Sequence, residues 1–565
     1  MKSIVVIDCR STGKNFIEDI INRGYNPVVL HLKDADTEEG KRFGEHILEE
    51  YKLIPYEFDM IYEKDTFEET LEEVKKFDPI LVLPGNERGV ILATRLSHEL
   101  GLLGNSIENL DAITLKHEMH NRLAQKGLRY IRGKVITSIE EALEFYDDEG
   151  LKEVVIKPIY STGSASVRIC LDRDEMIDAL KILFDDVNYF GDKNDKLLVQ
   201  ERINGTEYIV NTVTHEGAHR VTLVWKYNKV KTSEGAIIYD SCETVNELGL
   251  GEAEMVEYAY NVADALGIRY GPVHGEYMID DDGPVLIEVN CRPCGGSMSA
   301  EFLDKISGQH ETDSILDSYL KPARFKEELK KKYELYAHGT LKFFIVPRDM
   351  IARSSPMTGI SDKLTAFHDI EMLPVNNIDM YFHKTEDLET AAGFVFLAHE
   401  DKSEVEKNLN FLRAVEKNAF SLILSEDLLN VEMKDDDAYL TEIMPLIEKT
   451  KKYGTGLFVT DQFVEDIDML QISYDRIDEV MGKFDFIIIN LNKSLFNKTE
   501  AEKANMVLNV FSKVRTGGSI LIPENTYNVF VSGRRGIEAL IKVLDYKIEL
   551  PPYTIQDVVI ASRET

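Results

Sequence analysis

The sequence predicts a chain of several domains that combines α/β and α+β architecture: an N-terminal parallel α/β domain, a middle domain of helices and short strands, and a separate small α/β domain at the C-terminal end. Three observations predict it. The 565 residues exceed one domain, since roughly 100 to 200 residues make a domain and about three to five should follow. Short β-branched runs followed by helical periodicity occur at both ends of the chain, the mark of parallel sheets, while the middle carries short strands of alternating polarity. A composition of 44% hydrophobic and 29% charged residues supplies cores and excludes a disordered or fibrous chain.

Residues 3 to 8 (SIVVID) read as the first strand, followed by the loop Cys9 to Gly13, a helical pattern from Phe16 to Arg23 and a second strand from Pro27 to Leu30. The pattern returns at Pro79 to Leu83, where an apolar strand runs into Pro84, Gly85, Asn86 and Glu87 and then a helix from Val90. Loops at the carboxyl ends of such strands are where open α/β sheets place ligands, although the first reads equally well as a tight turn. Gly13 and Lys14 do not make a phosphate-binding loop, because the upstream glycine and the following Ser or Thr are absent.

From about 110 to 320 the pattern is helix, short strands, helix; a third stretch, about 321 to 425, has strands at Leu341 to Val346 and Ala392 to Leu397 and is expected to complete the second domain. The acidic, polar run Ser425 to Asp437 reads as a linker. Beyond it, Phe486 to Leu491 is an apolar strand, Ala501 to Val514 a helix, Gly517 to Pro523 a turn and strand, and Val558 to Ser562 a last strand.

A formal charge of −35 repels phosphate backbones and anionic lipid, so neither broad nucleic-acid binding nor membrane binding is expected. Any phosphate ligand must then be met by a few placed lysines, arginines and metals. Five cysteines are too sparse for a disulfide scaffold, no signal-peptide core follows Met1, and no apolar run approaches the ~20 residues of a membrane span. The expected location is cytoplasmic.

The most informative stretch is Gly271 to Gly296, where two strand patterns flank Asp281, Asp282 and Gly283. With these three as the loop, Asp280 pairs with Pro284 and Glu276 falls opposite Glu288; Asn290 and Arg292 share the face of Glu288, and His274 lies opposite Asn290. Facing carboxylates repel, and a divalent cation resolves the conflict: two carboxylates and an amide, completed by water and phosphate, describe Mg²⁺ held with a nucleotide. On the sequence alone, Glu288→Gln should therefore be neutral or stabilising without nucleotide. The competing reading is a solvated acidic hairpin, against which the apolar neighbours VLIEV and YMI argue.

Lys157 ends the strand VVIKP and is followed by Tyr160, Ser161, Thr162, Gly163, Ser164, Ala165 and Ser166. Such a small-residue loop can close over a polyphosphate, its backbone N–H and hydroxyl groups donating while the lysine supplies charge; it is equally the form of a flexible hairpin. Glu201 ends the strand of LLVQERINGTEY, and the irregular segment to Gly205 and Glu207 leaves backbone groups suited to an adenine edge. Cys291 and Cys294 form a C-x-x-C pair without the second pair a zinc ribbon needs, and His274 reads as a wall or core histidine.

Taken in order, these residues resemble the ATP-grasp carboxylate–amine ligases, especially the branch that includes L-amino acid ligases. DCRSTG follows the first strand, PGNERGVILA precedes LGLLGN, Lys116 opens KHEMHNRLAQKG, and then come the Lys157 loop, Glu201 with Glu207, and Glu276, Glu288, Asn290 and Arg292. The resemblance implies a pre-ATP-grasp α/β domain at 1–109, a two-lobed ATP-grasp domain at 110–320 and a lobe at 321–425 that completes the ligase. It implies ATP and Mg²⁺ (or Mn²⁺) as cofactors, a small-molecule carboxylate and amine as substrates, and an acyl-phosphate intermediate. Lys116 and Lys157 would contact the nucleotide phosphates beneath Ser161, Thr162, Gly163 and Ser164; Glu201 and the backbone at Ile203 would meet adenine, with Glu207 near the ribose. Glu276, Glu288 and Asn290 would hold the metal, and Arg292, with Lys157, would serve the transferred phosphate.

Three departures stand out: Ala165-Ser166-Val167 lacks the glycine usual before the valine, Leu115 precedes Lys116 where an acidic residue is common, and Asn211 stands where Asp often follows the EY motif. Residues 430–565 resemble the carboxyl-terminal half of S-adenosylmethionine-dependent methyltransferases in FDFIIINL, VRTGGSILIPENTYNVF and VVIASR, without the cofactor-binding glycine-rich turn. A degenerate Rossmann-like α/β domain, structural or homo-oligomerising, is expected there. Bicarbonate chemistry of the carbamoyl-phosphate-synthetase or carboxylase kind, methyl transfer, and a non-catalytic nucleotide-binding scaffold are the alternatives.

Overall fold

In the computed structural model, residues 1–34, 38–159, 167–186, 193–231, 237–346 and 360–372, most of 380–419, and strands elsewhere are described. Two compact units divide the chain, the first being Met1–Lys342 with short later segments. The expected linker at 425–437 and residues 501–513 of the expected helix lie outside the described residues, while Val514, expected to end that helix, instead opens the strand Val514–Pro523.

The first unit opens with β1 (Ser3–Ile7), α1 (Asn15–Asn22), β2 (Asn26–His31), α2 (Glu38–Lys52), β3 (Asp59–Tyr62), α3 (Phe67–Lys75), β4 (Pro79–Pro84) and α4 (Gly89–Glu99). All four strands run parallel in the order β3-β2-β1-β4. Every residue of β1 is buried, which accounts for its unbroken apolar run, since helices cover both faces of a parallel sheet. The order reverses at β1, so the crevice between the carboxyl ends of β1 and β4 is the ligand-prone point of this sheet. Sequence periodicity did not mark α2, β3 or α3; α3 is announced by a capping box, Thr66 with Glu69.

Next come α5 (Leu110–Thr114), α6 (Lys116–Gln125), β5 (Gly133–Ile136), α7 (Ile139–Asp148), β6 (Val154–Pro158), β7 (Arg168–Cys170), α8 (Arg173–Asp185) and β8 (Leu197–Glu201). The four strands form an antiparallel lobe, β5-β8-β6-β7, and α8 begins on the side chain of Asp172, which accepts from two backbone N–H groups. The remainder is β9 (Thr206–His215), β10 (Ala218–Lys231), β11 (Ile237–Thr244), α9 (Leu250–Leu266), β12 (Tyr270–Asp280), β13 (Gly283–Asn290), α10 (Ala300–Ser307), α11 (Glu311–Leu320), α12 (Pro322–Glu328) and β14 (His338–Phe343). Its strands are neighbours in the antiparallel order β13-β12-β9-β10-β11-β14. Gly267 stops α9 in a left-handed conformation (φ +76°).

One face of this sheet packs on α9: Tyr208, Val210, Val273, Tyr277, Leu286 and Val289 share a core with Met255, Tyr258, Val262 and Leu266. The other face is left to polar residues at alternate positions. The β12–β13 turn differs from expectation, because its loop is two residues and Asp280 pairs with Gly283. A bulge then slips the register by one residue between Glu276 and Tyr277, so that Tyr277 pairs with Leu286 yet Glu276 still faces Glu288. Without the bulge Glu288 would follow Leu286 into the α9 core; the extra residue turns Glu288 and Asn290 to the polar face.

In the second unit, the described strands Leu470–Ile472, Gly456–Thr460, Phe484–Asn490, Val514–Pro523, Val558–Ser562 and Thr554–Ile555 form a sheet in that order. The first four are parallel, and Val558–Ser562 runs antiparallel to both neighbours.

Candidate active site

Four elements bring charged side chains to the polar face of β12 and β13. Lys116, the first residue of α6, sets its Nζ 2.7 Å from Glu288 Oε2. Asn290 donates from Nδ2 to Glu288 Oε1 at 3.2 Å. Burial pushes the Glu288 carboxyl up, but Lys116 and Lys157 outweigh it and hold the group below the ordinary carboxylate range. Glu276 moves the other way: burial and then the charge of Glu288 raise it, against Arg292 and the two lysines. One of the facing carboxylates thus keeps its charge and the other resists ionising, as like charges in one buried place require.

The lysines diverge as well. Burial pulls the Lys157 ammonium down to about 8, Lys116 acting with it and Glu288 against it. For Lys116 burial also lowers the pKa, but the pair with Glu288 and the charges of Glu87 and Glu276 raise it overall. Ser161, Thr162, Gly163 and Ser164 lie outside the described residues.

Arg292 lies just beyond β13. Its Nη1 donates to Pro293 O at 2.9 Å, and its Nε is 3.4 Å from Glu87 Oε2. Glu87 is buried and raised by that burial, with Arg292 and Lys116 opposing. It sits after β4, at the crevice with β1, where Arg10 reaches Asp8 (3.2 Å) and Asn86 (3.4 Å). Sequence reading marked this loop without assigning Glu87 to the site; its place after β4 at the strand-order reversal was the available signal. Nor did it find Glu311, which opens α11, accepts from Cys294 N–H at 2.9 Å and is raised to about 7 by burial.

His274 is buried, its Nδ1 2.9 Å from Asn211 Oδ1 and its Nε2 3.5 Å from Glu276 Oε1. Burial and then Arg292 drive its pKa well below the ordinary value, so it stands as a neutral wall. Asn211 Oδ1 is thus engaged by His274.

Toward the lobe, Glu201 accepts two hydrogen bonds from the Arg132 guanidinium (2.9 and 2.6 Å) and one from Arg132 N–H (2.9 Å). Its carboxylate is engaged, as are the Glu201 and Arg202 N–H groups, which donate to Arg132 O (2.9 Å) and Glu153 O (3.2 Å). Glu207 is buried between Lys229 Nζ (2.5 Å) and Tyr239 Oη (3.1 Å), and Lys229 also lies over the Tyr239 ring. Burial raises Glu207, the lysine opposing it.

Residues 151–301 match the ATP-grasp domain family. Dapdiamide A synthase of Enterobacter agglomerans is 25% identical over 431 residues, covering 75% of this chain and 98% of that protein. An L-amino acid ligase from Bacillus licheniformis superposes with a TM-score of 0.55 at 15% identity, over 73% of this chain and 97% of its own. A carboxyaminoimidazole ribonucleotide synthase from Aspergillus clavatus, solved with ATP, gives 0.52 at 13% identity, over 74% and 99%. Fold and site thus place an ATP-grasp domain at residues 151–301. These relatives support an ADP-forming carboxylate–amine ligase.

Proposed function

We propose that the chain joins an amino-acid-sized carboxylate to an amine, giving an amide or peptide, ADP and phosphate, with the residues above in the following roles. The observation that carries this reading is the convergence of Lys116, Lys157 and Arg292 on one sheet face with the facing pair Glu276 and Glu288. The substrate carboxylate attacks the γ-phosphorus of ATP, ADP leaves, and the amine then displaces phosphate from the acyl phosphate. Lys157 and Lys116 hold the phosphate charge, and Arg292, braced by Glu87, meets the transferring group. Catalysis on this reading is positioning and electrostatics in a shielded place, with no nucleophilic side chain.

For Mg²⁺ (or Mn²⁺) the donor set fits. Among the described residues no three His, Cys, Asp or Glu side chains gather as a metal site, so the carboxylates of Glu276 and Glu288 would need the amide oxygen of Asn290, whose nitrogen already turns to Glu288. All are hard oxygen donors. When bound, the ion would offset negative charge on the phosphates.

The amino-acid class comes from two relatives, one named for making dapdiamide A and the other for ligating L-amino acids. The near-complete span of the former favours amide formation over bicarbonate chemistry. We infer a structural or oligomerising role for residues after about 430, since Gly456 opens the strand Gly456–Thr460, whereas a cofactor-binding glycine turn follows its strand. Pooled carboxylates and amines screened for ADP release, with mass spectrometry of the products, test the function. A coupled product containing both substrates is expected; ADP release on bicarbonate without an amine would overturn it.

A further inference from the structure

The loop from Arg292 to Ser299 carries the arginine assigned to the phosphoryl group, yet it has no regular structure of its own. Its backbone is held from outside. Thr12 Oγ1 donates to Gly295 O at 3.2 Å and accepts from Met298 N–H at 3.1 Å. Ser11 Oγ accepts from Ser297 N–H at 3.0 Å, and Asn15 Nδ2 donates to Met298 O at 2.9 Å. Glu311 takes Cys294 N–H from the other side. Thr12 is fully buried, so both its bonds are shielded from water, where an orphaned backbone group is costly.

The turn that presents these side chains is itself constrained. Asp8 and Ser11 adopt left-handed backbones (φ 56° and 54°), as does Ser297 in the loop they meet (φ 50°), and such residues persist where surroundings over-determine them. Gly13 lies so close to the β4 loop that a Cβ would sit 2.1 Å from Gly85 O. The turn after β1 thus locks against the loop bearing Glu87 on one side and the loop bearing Arg292 on the other.

We propose that Thr12 is a positioning residue for Arg292: through Gly295 and Met298 it fixes the loop whose carbonyl, Pro293 O, and neighbour, Glu87, orient the guanidinium. The N-terminal sheet thereby sets the geometry of phosphoryl transfer. Its kinetic consequence rests on the ligase reading; the fixing of the loop does not.

The test uses the full chain with Thr12→Val, isosteric but unable to make either bond, and Thr12→Ser, which keeps both. Hydrogen exchange of peptides spanning 293–299 should quicken by about tenfold or more in the valine variant, as local opening becomes easier. Its kcat should fall roughly 10- to 100-fold, the scale of a small misplacement of a catalytic group, while ADP affinity stays within about twofold. The serine variant should behave as wild type in all three. Unchanged exchange in the valine variant overturns the proposal, as does faster exchange with normal turnover, a serine variant as impaired as valine, or an equal loss of ADP affinity. If the wild type itself forms no ADP, the ligase reading falls, and the exchange comparison still decides whether Thr12 holds the loop.

Discussion

Replacing Glu288 with Gln reverses between sequence and structure. Facing carboxylates alone promise relief of repulsion when one is neutralised. The structure instead pairs Glu288 with Lys116 at 2.7 Å, with side chains only 14% and 12% exposed, and sets Lys157 near the same carboxylate. Breaking such a pair from one side costs about 3 to 5 kcal/mol. Glu87 and Glu276 still act on Lys116, which brings the expected loss for the ligand-free protein down to about 2 to 3 kcal/mol. Calorimetric unfolding without nucleotide should show it as a lower transition temperature. A Lys116→Met change in the Gln background should recover part of the loss, since it removes the stranded charge. Adding ATP and Mg²⁺ supplies new countercharge and should narrow the stability gap, yet ADP release should fall roughly 10²- to 10³-fold, as when one preorganised electrostatic group is removed. A Gln variant at least as stable as wild type without ligand, turning over normally, would refute both the ion pair and the catalytic role.

Other outcomes follow from other contacts. His310 lies 2.9 Å from Asp304 and 3.0 Å from Asp19; burial lowers its pKa, but the two aspartates outweigh burial and raise it to about 10. Its contribution is therefore fully present below pH ~6.5 and lost as pH rises toward ~10; a thermal-melt series over that window should slope downward and flatten in His310→Gln. Gly13→Ala drives a Cβ into the Gly85 carbonyl and should cost at least about 2 kcal/mol, measurable by the same melts. Deleting residues after about 430 should leave nucleotide affinity nearly unchanged while altering oligomeric state, read by titration and light scattering; complete loss of affinity in a folded truncation would contradict the structural role inferred for the tail.

Much of the site was legible because it depends on local periodicity. Alternation of side chains across a strand placed Glu276 against Glu288 and put Asn290 beside it, from the hairpin signal alone. The bulge at Glu276/Tyr277 was not legible, since a shorter loop and a one-residue slip cancel and give the same facing pair. The Lys116–Glu288 bond, the Glu87 brace and the Glu311 contact join residues far apart in the chain, and no pattern of period two or 3.6 encodes them. Thr12 is the sharpest case: a sequence reader sees a turn after a strand, while the backbone it bonds lies 283 residues away at Gly295. In the N-terminal sheet, β1 and β4 were readable as apolar runs, whereas β3, with three of its four residues exposed, carries no such run.

The central claim is that the carboxylate substrate is activated as an acyl phosphate, and its oxygen carries the answer. With a carboxylate substrate from the screen, labelled with heavy oxygen, and its amine and Mg-ATP, the account predicts ADP together with inorganic phosphate that has gained one labelled oxygen. AMP and pyrophosphate as products, or phosphate free of label, would contradict it.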